Sequence, residues 1–348
     1  EQGKPLLEAV RQKHPEKKII ITFFSPSGYE IRKNSPLGDY ILYLPLDTAA
    51  NAEDFISIFR PEMAIFNKYE YWYHFFSAAH RHHIPLYVTS AIFRPEQAFF
   101  KSYGNFNRKI LSYVTHFFVQ NESSAALLKS IGHENYSISG DTRFDSVSNL
   151  AQRVKDLPFM AAFKGNKPLI VAGSTWPEDE KLLANWLEKQ QQVWKMVIAP
   201  HEIKTQKIEA LLSLFSNRLV IKHSEIEGKD LSKYQVLIID NIGMLSSLYP
   251  YGQIAYIGGG FGAGIHNTLE AAAWGVSVIF GPNYQKFQEA KDLIADKSGF
   301  TIDGQESLDA VMERLVKDPA FRNAAGERAK DYVKRNIGAT KMIMQKIF

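Results

Sequence analysis

Along the whole chain, short runs of β-branched and aromatic residues alternate with stretches whose apolar positions recur at three- and four-residue spacing. In the first half the short runs predict strands at Lys18–Phe24, Asp39–Leu44, Met63–Asn67, Leu86–Ser90, His116–Gln120 and Tyr136–Ser139. The helical spacing predicts helices at Pro5–Lys13, Ala50–Phe59, Trp72–His82 and Glu122–Ile131. The second half repeats the scheme, with strands predicted at Leu169–Ala172, Lys195–Ala199, Leu219–Ile221, Val236–Ile239, Ile254–Ile257 and Val276–Phe280. Its predicted helices are Glu178–Gln190, Lys204–Leu214, Met244–Tyr249, Asn267–Trp274, Phe287–Asp296, Leu308–Lys317 and Ala320–Asn336. Strand, helix, strand at this spacing predicts an α/β fold of parallel sheets covered on both faces. The stretch Val154–Lys167, with Pro158 and Gly165, reads as a hinge. It predicts two doubly wound Rossmann-like domains, residues 1–153 and 154–348, facing each other across a cleft, with the terminal helices packing back on the first domain. An α/β domain normally opens on a strand, whereas this chain reads from Glu1 straight into a helix, so a first strand is expected before Glu1.

Composition narrows the chemistry. The 348 residues are 45% hydrophobic and 22% charged, as in a soluble globular protein. The 23 Phe and 16 Tyr predict a Phe-rich core. With no cysteine, disulfides, thiolate metal sites and cysteine nucleophiles are excluded. A net charge of +4 is too small to argue for nucleic acid, though it suits anionic lipid surfaces or phosphorylated substrates. No run approaches the ~18 apolar residues of a membrane span.

The most informative segment is Ile254–Ala273, where an apolar strand enters a loop holding Gly258, Gly259, Gly260, Gly262 and Gly264, followed by a helix expected to open near Asn267. Glycines admit a ligand close to the backbone, and free N–H groups at a helix start favour a phosphate. Asn267 and Glu270 are spaced as a capping box; alternatively Glu270 faces a ligand and binds ribose hydroxyls. Gly258, Gly260 and Ala263 satisfy the dinucleotide fingerprint. The acid that fingerprint requires about 20 residues on is missing, since none follows Phe280–Gly281–Pro282 before Glu289. NAD and FAD are therefore not expected. A second phosphate-type turn is Ala172–Thr175 ahead of Pro177, where Thr175 serves as a helix cap, a ligand contact or both. A third strand ends in Ala199–Pro200–His201. All three strand ends are predicted to meet at the carboxyl edge of one sheet, where open α/β sheets bind their ligands.

These residues carry a family resemblance. Gly258 to Ala290, "GGGFGAGIHNTLEAAAWGVSVIFGPNYQKFQEA", closely resembles the bacterial 3-deoxy-D-manno-octulosonic acid (Kdo) transferases of lipopolysaccharide synthesis. In order along the chain, "SPSGYE" (25–30), "KYEYW" (68–72), "FVQNE" (118–122), "GDTRFD" (140–145), "AGST" (172–175) and "DNIGMLSSLY" (240–249) agree with it. The resemblance implies a GT-B fold and an inverting, metal-independent transfer of Kdo from CMP-Kdo to a lipid A precursor, lipid IVA. It implies a monomer at the cytoplasmic face of the inner membrane. It assigns Ser174, Thr175, His201, Gly259, Gly260, Phe261, Asn267 and Glu270 to the CMP-Kdo side. Glu70, the catalytic candidate within this chain, matches an acidic position facing the cleft in the acceptor domain. Arg143, Ser27 and Gly28 match the acceptor or phosphate side. The family's general base, the Glu of a Ser-x-Gly-Glu motif, is expected about two residues before Glu1. Arg143 stands where the family usually has Lys. Ala199-Pro200-His201 replaces Pro-Arg-His, and Gly243-Met244-Leu245 replaces Gly-Glu-Leu, removing one guanidinium and one carboxylate from the donor side.

Two features stay open at this level. The basic and aromatic stretch Phe93–Lys109 reads either as a contact for anionic headgroups or as a solvated helix with a buried aromatic face. The "HRHH" run, His80–His83, sits at a predicted helix end, and no metal is expected there. Other readings of the fold are a GT-B transferase or epimerase using a UDP-sugar, and a non-catalytic sugar-nucleotide-binding protein.

Overall fold

The computed structural model describes residues 2–152, 156–190 and 194–348. The chain divides into two units, Glu1–Ser146 with Asn336–Phe348, and Val147–Arg335. This division differs from a simple boundary at 153/154. The helix Thr142–Gln152 runs through the first break, and the last thirteen residues go with the N-terminal unit.

In the first unit the strands are β1 (Ile20–Phe23), β2 (Tyr40–Tyr43), β3 (Ala64–Asn67), β4 (Leu86–Ala91), β5 (His116–Val119) and β6 (Tyr136–Ile138). All pair in parallel, β1 with β2 and β3 to β6 in sequential order. Parallel strands need crossovers; Tyr73–Arg81 supplies the one from β3 to β4 and Glu122–Ser130 the one from β5 to β6, while Ala49–Phe59 leads from the first sheet to the second, all three close to their predicted bounds. The aromatic excess goes inward, as Phe75, Phe76, Phe93, Phe99, Phe117 and Phe118 are all buried. The 93–109 stretch is divided. Phe93 and Phe99 join this core, whereas Tyr103 and Phe106 point to solvent from a helix at Asn105–Ser112 and the turn before it.

The C-terminal segment belongs here for a local reason. The long helix ends at Arg335, and Gly338 takes φ 118°, a left-handed turn that glycine enters at low cost. A further helix, Ala339–Ile347, then packs Ile343 and Met344 against Leu6 and Val10 of Gly3–Lys13 and against Phe118. The first amides of a helix have no partner within it, and here they are met from a distance. The Asp145 carboxylate accepts from Gly338 N (2.6 Å) and from Thr340 N (2.7 Å).

The second unit holds β7 (Leu169–Thr175), β8 (Lys195–Pro200), β9 (Val220–Lys222), β10 (Val236–Ile238), β11 (Ile254–Ile257), β12 (Ser277–Phe280) and β13 (Gly299–Thr301). Among the described residues they form one parallel sheet in the order β13-β12-β11-β7-β8-β10-β9. Their near-continuous Val/Ile/Leu character follows from burial on both faces. Part of the expected hinge is a helix, Pro158–Lys164. Proline suits a first helical position, and Met160 and Phe163 are both fully buried. Residues 153–155 of that stretch lie outside the described residues. Among those described, no helix is long and apolar enough to cross a membrane.

Candidate functional site

The second sheet has a reversal at its centre. From β7 the chain moves to β8 and on to β10 and β9 on one side, then returns to lay β11, β12 and β13 on the other. Crossovers therefore diverge between β7 and β11, and open α/β sheets bind ligands at such a switch point, beyond the carboxyl ends of the strands. The glycine-rich loop follows β11, the Gly173–Thr175 turn ends β7, and His201 follows β8. The three segments singled out in the sequence thus sit on three adjacent strands, β11-β7-β8.

Glycine is required here by the crowding of backbone against backbone. A Cβ on Gly258 would lie 2.3 Å from the Ser174 carbonyl oxygen and 2.6 Å from Thr175 Cα. Gly259 has φ 90°, and Ser174 takes φ 53°, an uncommon left-handed position for a residue with a side chain. Within the loop, Gly258 N donates to Gly173 O (2.9 Å), His266 N to Gly258 O (3.1 Å) and Asn283 N to Gly260 O (2.9 Å). The amides of Gly260 and Phe261 donate to no acceptor among the described residues. Consecutive free amides beside a left-handed residue form an anion-binding concavity.

Two buried carboxylates underlie this loop. Asp179, in the first turn of the helix Pro177–Glu188, accepts from Tyr256 Oη (2.8 Å), Gly259 N (3.0 Å) and Trp176 N (2.9 Å). Next to it Glu180 accepts from Thr175 Oγ1 (3.0 Å). Burial raises both carboxyl groups above their ordinary range, opposed by the hydrogen bonds each accepts. Because folded Glu180 keeps its proton to higher pH than unfolded Glu180, its own contribution to stability is fully present below about 4.5 and is lost as pH rises through the folded value. Glu180→Gln, which keeps an acceptor for Thr175, is therefore expected to gain on the wild type between pH 4 and pH 8. Urea denaturation at three pH values across that range measures the gain, and a constant difference would exclude the linkage.

Above the carboxylates lies an aromatic stack. Trp176 stacks on His201 with centroids 4.7 Å apart, and His201 stacks on His266 at 4.6 Å. Trp176 Nε1 donates to His266 Nε2 (3.2 Å). The neutral His266 ring therefore carries its proton on Nδ1. Burial, followed by the neighbouring His201, lowers the His266 pKa and favours this neutral form.

Several expectations change in this light. Thr175 caps no helix and points away from solvent: it is 1% exposed with its hydroxyl on Glu180, and Trp176 takes the cap position. The helix expected from Asn267 is only Leu269–Ala273, with Thr268 at its cap position. Asn267 Oδ1 accepts from Leu269 N (3.0 Å), and its Nδ2 donates to Glu270 Oε1 (3.3 Å). Such side-chain bonds to nearby groups make a local turn in place of a capping box. Gly259 has given its amide to Asp179, and the Phe261 ring packs against the core, so that its backbone is the part left for a ligand. Asp179, Trp176 and His266 lie outside the expected set. Their signal is the acidic run after Trp176–Pro177 and the His of "IHNTLE", which by spacing alone read as helix start and turn.

The first unit holds the remaining expected residues at strand ends. Glu70 is exposed in the turn after β3, where Lys68 takes φ 60°, and its carboxylate accepts from Trp72 Nε1 (2.8 Å). The Trp72 ring meets Phe24, which follows β1, at 4.8 Å. Ser27 is exposed in the first turn of Pro26–Arg32 with its hydroxyl on Ser25 (2.7 Å), and a Cβ on Gly28 would lie 2.9 Å from the Phe23 ring. Arg143 presents less charge than expected, because its guanidinium closes on Asp141 Oδ2 at 2.9 Å and Asp141 is itself buried. In the "HRHH" run, His82 Nε2 meets Glu53 (2.7 Å), as does Arg81, at the end of the helix Tyr73–Arg81. Among the described residues no group of three or more His, Asp or Glu could hold a metal ion.

Residues 1–146 match the family model described as 3-deoxy-D-manno-octulosonic-acid transferase (kdotransferase). The 3-deoxy-D-manno-octulosonic acid transferase of Chlamydia muridarum is 27% identical over 97% of this chain and 80% of its own length. That of Aquifex aeolicus is 24% identical over 90% of this chain and 81% of its own. Among solved structures, UDP-GlcNAc 2-epimerase from Neisseria meningitidis shares the fold, with a TM-score of 0.69 at 18% identity, covering 99% of this chain and 95% of that one. The chain thus has two parallel α/β units of the GT-B class, and over nearly its whole length it is similar to the Kdo transferases, which are glycosyltransferases.

Proposed function

We propose that the chain transfers Kdo from CMP-Kdo to a lipid A precursor, lipid IVA, with inversion and without a metal, in lipopolysaccharide synthesis. The observation that carries the donor reading is the pair of unengaged amides, Gly260 and Phe261, at the switch point of the second sheet. They suit the phosphate of CMP, whose charge grows as it leaves. In the reaction an acceptor hydroxyl oxygen attacks the anomeric carbon of Kdo. The bond from that carbon to the CMP phosphate oxygen breaks, CMP leaves with the electron pair, and the hydroxyl proton passes to a carboxylate base. His201 and Asn267 flank the loop as donor contacts, with Ser174 at the strand end and Glu270 for the ribose. Glu70, Ser27 and Gly28 line the acceptor side, with Arg143 sharing its charge between Asp141 and an acceptor phosphate.

On this reading the acceptor is a lipid, and the chain works as a monomer at the cytoplasmic face of the inner membrane. Exposed Tyr103 and Phe106, beside Lys101 and Lys109, support contact with anionic headgroups. The test is a transfer assay with CMP-Kdo and a tetra-acylated lipid A precursor, run beside a panel of UDP-sugars. CMP release coupled to Kdo on the lipid is expected. Consumption of a UDP-sugar with CMP-Kdo untouched would replace the donor assignment by the alternative within the same fold.

A further inference from the structure

We infer that Asp179 is a positioning residue of the donor site: it holds the Gly259 amide and thereby leaves the Gly260 and Phe261 amides for the donor phosphate. The inference rests on the donor reading above and adds to it a residue that meets no ligand. The Asp179 side chain is fully buried and joins three elements. One oxygen takes the hydroxyl of Tyr256, on β11. The other takes both Gly259 N, in the loop, and Trp176 N, at the start of the helix after β7. The two strands flanking the switch point are thus tied, just beyond their carboxyl ends, by a single carboxylate.

The consequence is one of register. Gly259 has φ 90°, so the amides on either side of it face different ways. While Asp179 takes the Gly259 amide, the two amides after it stay without an acceptor. Were Asp179 absent, the Gly259 amide would itself seek an anion, and the loop would have two ways to bind a phosphate instead of one. A preorganised loop avoids the cost of ordering on binding. The same carboxylate also fixes the backbone of Trp176, and through it the ring that stacks on His201 and bonds His266.

CMP binding, measured calorimetrically on the full chain at low temperature, tests this with Asp179→Ala, Asp179→Asn and Lys195→Met. Asp179→Asn keeps an oxygen for Gly259 N and Trp176 N while its amide meets the Tyr256 hydroxyl, so affinity within about threefold of the wild type is expected. Asp179→Ala is expected to lose about tenfold or more, the scale of a lost charged hydrogen bond. Lys195→Met lowers stability at the opposite edge of the same sheet and is expected to bind CMP as the wild type does. A purely structural role would let Asp179→Ala bind CMP normally while folded, and that result overturns the inference.

Should Asp179→Ala not fold, single-residue hydrogen exchange on the wild type decides. Gly259 N–H is expected to be protected equally with and without CMP, while Gly260 and Phe261 N–H gain protection with it. A Gly259 amide that becomes protected only with CMP would overturn the inference. If the wild type binds no CMP at all, the donor reading itself fails and takes the inference with it. That outcome is distinct from normal binding by both wild type and Asp179→Ala.

Discussion

Gly260→Ala is expected to abolish CMP binding and to destabilise the second unit by about 1–3 kcal/mol, the usual cost of overpacking a filled site. A Cβ there would lie 2.6 Å from both the N and Cα of Gly281 and 2.8 Å from its carbonyl carbon. All three are backbone atoms, so no rotamer change relieves the clash. The crowding is mutual, since a Cβ on Gly281 would lie 2.7 Å from the Gly260 carbonyl carbon. The ends of β11 and β12 approach so closely that both sides must lack side chains, and relief must come from moving the loop. Moving the loop displaces the two unengaged amides, so affinity falls further than stability. Gly262→Ala is the matched control. Its Cβ would meet only Gly259 O, at 3.7 Å, which is ordinary contact. CMP titration and urea denaturation of the two variants measure both effects. Equal CMP affinity in Gly260→Ala and Gly262→Ala would show that the loop backbone does not hold the phosphate.

Lys195→Met should show the opposite division, with a large loss of stability and no change at the site. Lys195 opens β8 at the edge of the sheet away from the glycine loop, and its side chain is 4% exposed. Its Nζ donates to Phe163 O and to Ser232 O (2.8 Å), and lies 4.7 Å from the centre of the Phe163 ring. Burial lowers the Lys195 pKa, which marks the cost of holding this charge away from water. Methionine matches the stem but donates nothing, leaving buried carbonyls unpaired. At about 1–3 kcal/mol for each buried group left unsatisfied, the loss is expected to reach about 2–5 kcal/mol. Urea denaturation at neutral pH measures it. A loss below about 1 kcal/mol would mean that water replaces the ammonium group at those carbonyls.

Much of the architecture was legible in the chain because its causes are local. Twelve predicted strands formed within a few residues of their expected ends, since a buried parallel strand needs an unbroken apolar run and glycine or polar residues close it. The elements that escaped notice lack such a run. Gly299–Thr301 has three residues, one of them glycine, and among the described residues pairs only with β12. Pro158–Lys164 hid behind a proline and a glycine that read as a hinge but in fact begin and end a short helix. The terminal helix Ala339–Ile347 follows a glycine turn, and its association with the first unit depends on Asp145, far away in sequence.

The candidate site divides along the same line. By itself the sequence determined that glycine-rich and strand-end segments would meet at one sheet edge, because alternating strands and helices admit few topologies and ligands collect where those reverse. It also carried the likeness to the Kdo transferases, through motifs dense enough to be specific. Only the tertiary structure decided what each group in those motifs does. Thr175 turned inward to Glu180, Gly259 gave its amide to Asp179, and Arg143 closed on Asp141. Each did so because a buried polar group must find a partner wherever the fold brings one. Trp176, His201 and His266, from three separate segments, became one stack for a related reason: side-chain partners across a sheet are set by strand order, which spacing along the chain does not encode.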